Sequence, residues 1–160
     1  MTLLTPASAA DTAALTEFLS GVDLTVSGLD SPSVRIWTER DDRGEIIATT
    51  GFELSADNQH ALVRSVAVHP SVQRTGAGTK LATFALARAA EKGAERAWLF
   101  SRRSGPFWQG LGFERADREE LARVLPDTHQ VRLFISSGQL AQEVAWSKSL
   151  RADGGISAGR

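Results

Sequence analysis

Apolar and polar residues follow two different periods along this chain, and the changes between them predict its elements. An alternation of period two predicts strands, and apolar positions three or four residues apart predict helices. The predicted strands cover 2–5, 34–39, 45–54, 60–68, 96–100 and 144–150. The predicted helices cover 7–20, 79–92, 106–110 and 119–124, whereas 127–135 fits either a helix or a strand.

The order of these elements predicts an α+β fold with a mixed sheet. Several antiparallel strands come first, and a long helix, a strand, a short helix and closing strands follow. A chain of 160 residues is close to the usual length of one domain. We therefore expect a single domain over 1–150 and a disordered tail over the glycine-containing residues 151–160.

Composition and charge exclude several classes of function. The hydrophobic content of 42% and the charged content of 23% are typical of a soluble globular protein. A net charge of −1 argues against a nucleic-acid or anionic-membrane partner. With no cysteine and three scattered histidines, no metal site is expected, and His60 and His129 are expected at the surface. We expect a cytoplasmic protein, because neither a signal peptide nor an apolar stretch of about 20 residues is visible.

The most informative stretch is the loop Gln73–Gly78, which lies between a predicted strand and a predicted helix. The start of a helix presents unpaired backbone N–H groups and a partial positive charge, and both favour a phosphate. Glycine at positions 76 and 78 allows close approach of an anion and a positive φ. The spacing fits neither the P-loop nor the dinucleotide fingerprint. An ordinary glycine turn is the alternative.

Together with the preceding Val66–Pro70, this loop resembles the pyrophosphate loop of the GNAT family of N-acetyltransferases, which bind acetyl-coenzyme A. The resemblance covers about 2–150 and implies the acyl-CoA N-acyltransferase fold. In that fold the acyl arm enters between two central strands that splay apart. The resemblance implies that Val66 and Val68 offer backbone groups to the pantetheine arm. It also implies that the pyrophosphate is held by Gln73, Arg74, Thr75, Gly76, Ala77, Gly78 and Thr79.

A second stretch, 107–113, resembles the family signature F-Y-x-x-x-G-F, whose short helix lies along the coenzyme. This implies that Phe107 and Trp108 contact the coenzyme. Many relatives carry a tyrosine at the position of Trp108, and that tyrosine protonates the leaving thiolate. This chain has no tyrosine, and an indole N–H is only a hydrogen-bond donor. Packing is the expected role of Trp108, and Ser101, Ser104 or a water stays open as the general acid.

The predicted strands of the cleft supply two catalytic candidates. Glu53 is the candidate general base, because burial in the cleft would raise its pKa, and a solvent-facing carboxylate is the alternative. Ser65 is the second candidate, since it precedes Val66 in the strand that lines the cleft. The backbone N–H of that strand, at Val66, is expected to polarise the thioester carbonyl.

Three residues are candidates for binding the acceptor. Arg64 interrupts an apolar run, and a buried guanidinium needs a carboxylate, which is either that of Glu53 or that of the substrate. Arg102 follows a strand end, where the acceptor lies in this fold. Trp37 is expected in the core or the wall of the cleft.

Further segments narrow the resemblance to the acetyltransferase domain of N-acetylglutamate synthases and to small acetyltransferases of arsenic-resistance operons. The matching segments are 51–53, 62–68, 99–101, 125–126 and 148–150. The arsenic group often carries a Cys-Pro pair where this chain has 137–139, and that is a departure. The resemblance implies acetyl transfer from acetyl-CoA to a small, amino-acid-like primary amine in a ternary complex, and relatives often form homodimers. A non-catalytic acyl-CoA-binding or regulatory module is the alternative.

Overall fold

The computed structural model describes residues 4–72 and 75–151. Its seven strands form one mixed sheet in the order β1-β2-β3-β4-β5-β7-β6. The strands are β1 Thr5–Pro6, β2 Val34–Arg40, β3 Ile46–Leu54, β4 His60–Val68, β5 Arg96–Phe100, β6 Glu114–Ala116 and β7 Ala145–Ser149. The helices are α1 Thr12–Gly21, α2 Ala77–Glu91, α3 Gly105–Gly110, α4 Arg118–Val124 and α5 His129–Ser137. The predicted α+β class with a mixed sheet is confirmed.

The described residues divide into two compact units, of which the first comprises 4–53, 63–72 and 75–85 and the second 54–62 and 86–151. Each unit has its own apolar cluster, as burial of one face of a sheet under helices requires. The cluster of the first unit contains Leu15, Val34, Ile36 and Ile46. The cluster of the second unit contains Leu62, Trp98, Leu121, Leu125, Val131 and Ala145.

In the first unit, β1, β2 and β3 form an antiparallel meander. The register between β2 and β3 runs from Val34↔Glu53 to Arg40↔Ile46 and shifts between Glu39 and Arg40. The turn between the two strands contains Gly44 at φ 82°, where a residue with a Cβ is disfavoured. This register places Glu53 opposite the start of β2.

In the second unit, β4 and β5 are parallel. Their register runs from His60↔Arg96 to Leu62↔Trp98, and β4 then continues into the first unit as far as Val68. β5 also pairs antiparallel with β7, which pairs in turn with β6. The strand β6 was not predicted, because three residues are too short for an alternating pattern to stand out.

The ambiguous segment 127–135 is a helix, α5. Its buried residues include Val131 and Phe134, three apart, whereas Leu133 and Ile135 are 37% and 56% exposed. The helix ends at Gly138, which has a left-handed backbone at φ 77°. The alternation of Val131, Leu133 and Ile135, which favoured a strand, is therefore accidental.

Candidate functional site

The helix α2 begins directly after a glycine turn. Gly76 has φ 86°, and its carbonyl accepts the first bond of the helix from Lys80 N–H at 3.0 Å. Thr75, Gly76 and Thr79 are exposed, and Ala77 and Gly78 are half-buried. A Cβ at Gly76 would meet nothing within 4 Å. The start of α2 is therefore open on this side, while the predicted phosphate-binding residues Gln73 and Arg74 lie outside the described residues.

His69 shapes the chain between β4 and this turn. Its Nδ1 accepts a hydrogen bond from Ser71 N–H at 3.0 Å and lies 2.7 Å from Ser71 Oγ. Its own backbone N–H donates to the Ile47 carbonyl at 2.8 Å. These bonds hold the single 3₁₀ turn Pro70–Val72 that follows β4. His69 is thus a turn residue in this structure.

Ser65 has an unusual backbone in the middle of β4. It is buried and has φ 62°, a left-handed conformation that is rare for a residue with a Cβ. The Thr49 hydroxyl of β3 donates to the Ser65 carbonyl at 2.6 Å. A residue of this kind inside a strand bends the strand and re-aims its backbone groups. Sequence reasoning identified Ser65, but neither its backbone nor its contact with Thr49.

Glu53 and Arg64 form a buried ion pair. Arg64 Nη1 lies 2.9 Å from Glu53 Oε2, and the two side chains are 0% and 2% exposed. Arg64 Nη2 also donates to the Thr25 carbonyl at 3.3 Å, and Nε donates to Ser65 Oγ at 3.3 Å. Of the two partners expected for Arg64, this geometry favours Glu53. The structure therefore brings Glu53, Arg64 and Ser65 together.

Burial and the ion pair act on Arg64 in opposite directions. Burial lowers the pKa of the Arg64 guanidinium, and the charge and hydrogen bond of Glu53 oppose that change. An arginine has so high a pKa that it stays protonated in proteins. The cluster therefore contains a permanent cation, and the Glu53 carboxylate compensates its charge.

The other acceptor-binding candidates lie elsewhere. Trp37 is half-buried, and its ring contacts those of Phe52 and Phe84 at centroid distances of 5.7 Å and 5.3 Å. The Arg102 side chain is 51% exposed, and its Nε lies 3.5 Å from Glu143 Oε2. Trp37 thus packs against two aromatic rings of the first unit, and Arg102 is a largely exposed cation of the second unit.

The short helix α3 presents Phe107 and Trp108. Phe107 is half-buried, whereas Trp108 is buried, and the two rings lie 4.9 Å apart. Trp108 also packs edge-on against Phe113 at 5.3 Å. Trp108 is therefore a packing residue of the second unit, which is the role expected for it. Ser101 and Ser104 are the two serines left open as the general acid. The Ser104 backbone N–H donates to Ser101 Oγ at 3.0 Å.

His60 is not the surface residue that the sequence predicted. It is half-buried, and its Nδ1 accepts a hydrogen bond from Trp98 Nε1 at 3.0 Å. His129 is also half-buried, at the start of α5. The prediction was wrong because a partner 38 residues away in the chain leaves no local signal.

The described residues, 4–72 and 75–151, contain no group of three or more His, Cys, Asp or Glu side chains placed to hold a metal ion. Nor does this part of the chain contain a helix that is long and apolar enough to cross a bilayer.

Solved structures share the fold. N-acetylglutamate synthase from Neisseria gonorrhoeae, complexed with coenzyme A and N-acetyl-glutamate, superposes with a TM-score of 0.68 at 18% identity. That match covers 94% of this chain and 36% of the synthase, so the chain spans about a third of its length. A GNAT acetyltransferase from Staphylococcus aureus Mu50 has a TM-score of 0.73 at 12% identity, over 94% of this chain and 100% of that chain. Rv2747 from Mycobacterium tuberculosis, in complex with CoA and NLQ, has a TM-score of 0.70 at 14% identity, over 93% of this chain and 99% of that chain.

A comparison with curated proteins finds no match. A model of a protein family, described as "Acetyltransferase (GNAT) family", matches residues 11–113, which is more than half of the chain. This match covers α1, the strands β2 to β5, the glycine turn and α3. The chain therefore belongs to the GNAT acetyltransferase family, whose general activity is acyl transfer from an acyl-CoA.

Proposed function

We propose that this protein moves the acetyl group of acetyl-CoA to the primary amine of a small, amino-acid-like acceptor. The observation that carries the proposal is the left-handed backbone of Ser65 inside β4, together with the open start of α2, the helix that follows β4 in the chain. A strained residue in a strand persists only where its surroundings over-determine it, and such residues cluster at functional sites. Family membership supports the acyl-CoA part of the proposal.

The start of α2 is the proposed phosphate site. The first N–H groups of a helix have no partner inside the helix, and the helix dipole favours an anion there. At this end they belong to Ala77, Gly78 and Thr79, next to the exposed Thr75 and Gly76. Gln73 and Arg74 complete the proposed loop by sequence. The pyrophosphate would thus rest on backbone groups, which do not depend on side-chain charge.

The second half of β4 is the proposed track of the pantetheine arm. This half lies beyond Leu62, the last residue of β4 in register with β5, and contains Val66 and Val68. An arm that lies beside an extended strand can exchange backbone hydrogen bonds with it, as an added strand does. The thioester would then reach the Ser65 and Val66 backbone. Phe107 and Trp108 stay coenzyme contacts predicted from the sequence.

The transfer step needs a deprotonated amine and a proton for the thiolate. The amine nitrogen attacks the thioester carbonyl, the new C–N bond forms, and the C–S bond breaks. A backbone N–H near Ser65 would stabilise the charge that develops on the carbonyl oxygen. Because the Glu53 side chain is 2% exposed and bonded to Arg64, a water is a better candidate for the base than this carboxylate. Ser101, Ser104 and water stay open as the source of the thiolate proton.

Replacing Glu53 by glutamine separates the two roles of this carboxylate. If Glu53 is the base, Glu53→Gln abolishes the acidic limb of the pH–rate profile, because that limb reports the titration of the base. If Glu53 only holds Arg64, the variant has a lower rate with an unchanged profile. We expect the second result.

The proposed acceptor follows from two observations. The gonococcal synthase binds N-acetyl-glutamate, which supports an acceptor of amino-acid shape for this related fold. Arg64 is fully buried against Glu53, so the acceptor carboxylate needs another cation. Arg102 stays the cation that the sequence predicts for this carboxylate, and Trp37 stays a predicted acceptor contact.

A thiol-release assay tests the proposed function. Purified protein is incubated with acetyl-CoA and, in turn, each of the twenty amino acids, phosphinic amino-acid analogues and polyamines. We expect release of free CoA thiol above the acceptor-free rate with at least one amino-acid-like amine, and mass spectrometry should find the acetylated amine. Release with polyamines alone would contradict the proposed acceptor class.

The absence of tyrosine favours one second function, a non-catalytic acyl-CoA-binding module. Trp108 occupies the position of the usual acid, is buried, and packs against Phe107 and Phe113. Calorimetry distinguishes the two functions. Tight binding of acetyl-CoA without turnover of any amine on the panel would support the binding module.

A further inference from the structure

We propose that Thr49 and Arg64 are positioning residues, which hold Ser65 in its left-handed conformation and so fix the direction of the β4 backbone where the acetyl group is transferred. This inference rests on the proposed function, because the transfer site is assigned there. Its structural part, a brace around Ser65, stands on contacts within the first unit and can be tested without turnover.

Thr49 holds the backbone of Ser65 from the neighbouring strand. The Thr49 side chain is fully buried in β3, and its hydroxyl donates to the Ser65 carbonyl at 2.6 Å. A buried hydroxyl without a partner is costly, so this bond persists once the strand is folded. Thr49 therefore restrains the peptide group that links Ser65 to Val66.

Arg64 holds the side chain of Ser65 from the other direction. Its guanidinium donates to Ser65 Oγ through Nε, to Glu53 through Nη1 and to the Thr25 carbonyl through Nη2. These acceptors come from β4, β3 and the segment after α1. A planar group bonded at three of its nitrogens has one orientation, so Ser65 Oγ is fixed as well.

Two restraints on one residue explain how a serine keeps φ 62° inside a strand. The steric cost of a left-handed backbone with a Cβ favours a return to the extended conformation. Such a return would turn the adjacent peptide group, and with it the N–H that the proposed mechanism points at the thioester. A misplacement of that kind lowers the rate of the chemical step more than it lowers coenzyme affinity.

Thr50 provides a matched control for Thr49. It is the next residue of β3, it is also fully buried, and its hydroxyl donates to a different backbone carbonyl, that of Leu81, at 2.7 Å. Thr49→Val and Thr50→Val therefore delete the same group at the same burial. We expect Thr49→Val to lower kcat about tenfold to a hundredfold with the KM for acetyl-CoA changed less than about threefold. Thr50→Val should keep kcat within about twofold of the wild type. Equal losses of kcat in the two variants would overturn the proposal.

Ser65→Gly tests the brace itself. Glycine adopts a positive φ without the steric cost, so it no longer needs a brace. We expect Ser65→Gly to rescue part of the kcat lost in Thr49→Val, whereas Ser65→Ala, which keeps the Cβ, should not. In Arg64→Lys, which keeps the charge but not the three-way geometry, Ser65→Gly should also raise kcat. A Thr49→Val/Ser65→Gly variant no faster than Thr49→Val would overturn the proposal.

Thermal unfolding of the same variants separates the brace from the proposed function. The melting-temperature losses of Thr49→Val and Ser65→Gly should couple, while those of Thr50→Val and Ser65→Gly should add. If the wild type acetylates nothing and this coupling is present, the proposed function fails and the brace stands. If the wild type is active and the melting-temperature losses add in both pairs of variants, the brace fails and the proposed function stands.

Discussion

The polar cluster around Arg64 and the apolar cluster of the second unit are both buried, but they consist of opposite kinds of side chain. The first consists of Thr49, Glu53, Arg64 and Ser65, all at most 7% exposed and joined by hydrogen bonds and an ion pair. The second consists of side chains that are equally buried and have almost no polar atoms, namely Leu62, Trp98, Leu121, Leu125, Val131 and Ala145.

The difference leads to different expected roles for the two clusters. Apolar burial contributes in proportion to the area removed from water, and no particular direction is required. A buried charge pair rarely adds net stability over apolar residues, but loss of one partner is expensive. We therefore infer that the cluster around Arg64 specifies a geometry rather than adding stability, and the left-handed Ser65 within it agrees with the proposed function.

The largest expected effect is that of Arg64→Met. The variant removes the cation that is bonded to the buried Glu53 carboxylate, so we expect a loss of about 3–5 kcal/mol in the free energy of unfolding, measured by urea denaturation. The control is the double variant Glu53→Leu/Arg64→Met, which removes both charges and should recover most of that loss without recovering turnover. A double variant with wild-type turnover would show that the cluster has no functional role.

The next effect is that of Leu121→Ala in the apolar cluster. Leu121 is fully buried, and its truncation leaves a cavity, so we expect a loss of about 3 kcal/mol in the free energy of unfolding. If the comparison holds, kcat per folded molecule stays within about twofold of the wild type, because the cluster sets stability and not geometry at β4. A loss of kcat as large as that of Thr49→Val would remove the distinction between the two clusters.

A smaller effect is expected for the ion pair between Asp11 and Arg40, which is partly exposed, unlike the buried pair of Glu53 and Arg64. The Ser8 backbone N–H, at 2.8 Å, and the Arg40 guanidinium, at 2.7 Å, hold the pKa of Asp11 below its usual value. Because its pKa is lower in the folded state, the ionised Asp11 side chain stabilises the fold. This stabilisation is complete above the unfolded-state pKa of about 3.9 and is lost as the pH falls through the folded-state pKa.

The Asp11→Asn variant should therefore lose roughly 0.2–1 kcal/mol of unfolding free energy at pH 7, because solvent screens this partly exposed pair. That difference should shrink as the pH falls below about 4. Denaturation at several pH values measures it, and Asp42→Asn, at an exposed turn position, is the control with no expected change. A difference independent of pH would contradict the assignment to the Asp11 charge.

The sequence predicted the elements with strong periodicity and missed what depends on distant contacts. The bounds of β4 and β5 match the predicted 60–68 and 96–100, because each has a clear apolar run between polar or glycine-containing turns. The bond between Thr49 and Ser65 joins residues 16 apart, and nothing local to either one indicates it. A left-handed serine also carries no signal, since glycine is the residue that marks this backbone. The sequence did supply one clue, an arginine within an apolar strand, which led to Glu53.

The proposed function depends most directly on the N–H groups at the start of α2, which we propose bind the phosphates of acetyl-CoA. Gly76→Ala puts a Cβ on a backbone at φ 86° at this start, and Gly93→Ala does the same at φ 104° just beyond the other end of the helix. In both places a Cβ meets nothing within 4 Å, so the two variants impose similar backbone strain.

Calorimetric titration of acetyl-CoA into the wild type and these two variants is the most direct test. We predict that Gly76→Ala raises the Kd about tenfold or more, while Gly93→Ala leaves it within about twofold. The same Kd for all three proteins, or no binding to the wild type, would contradict the account.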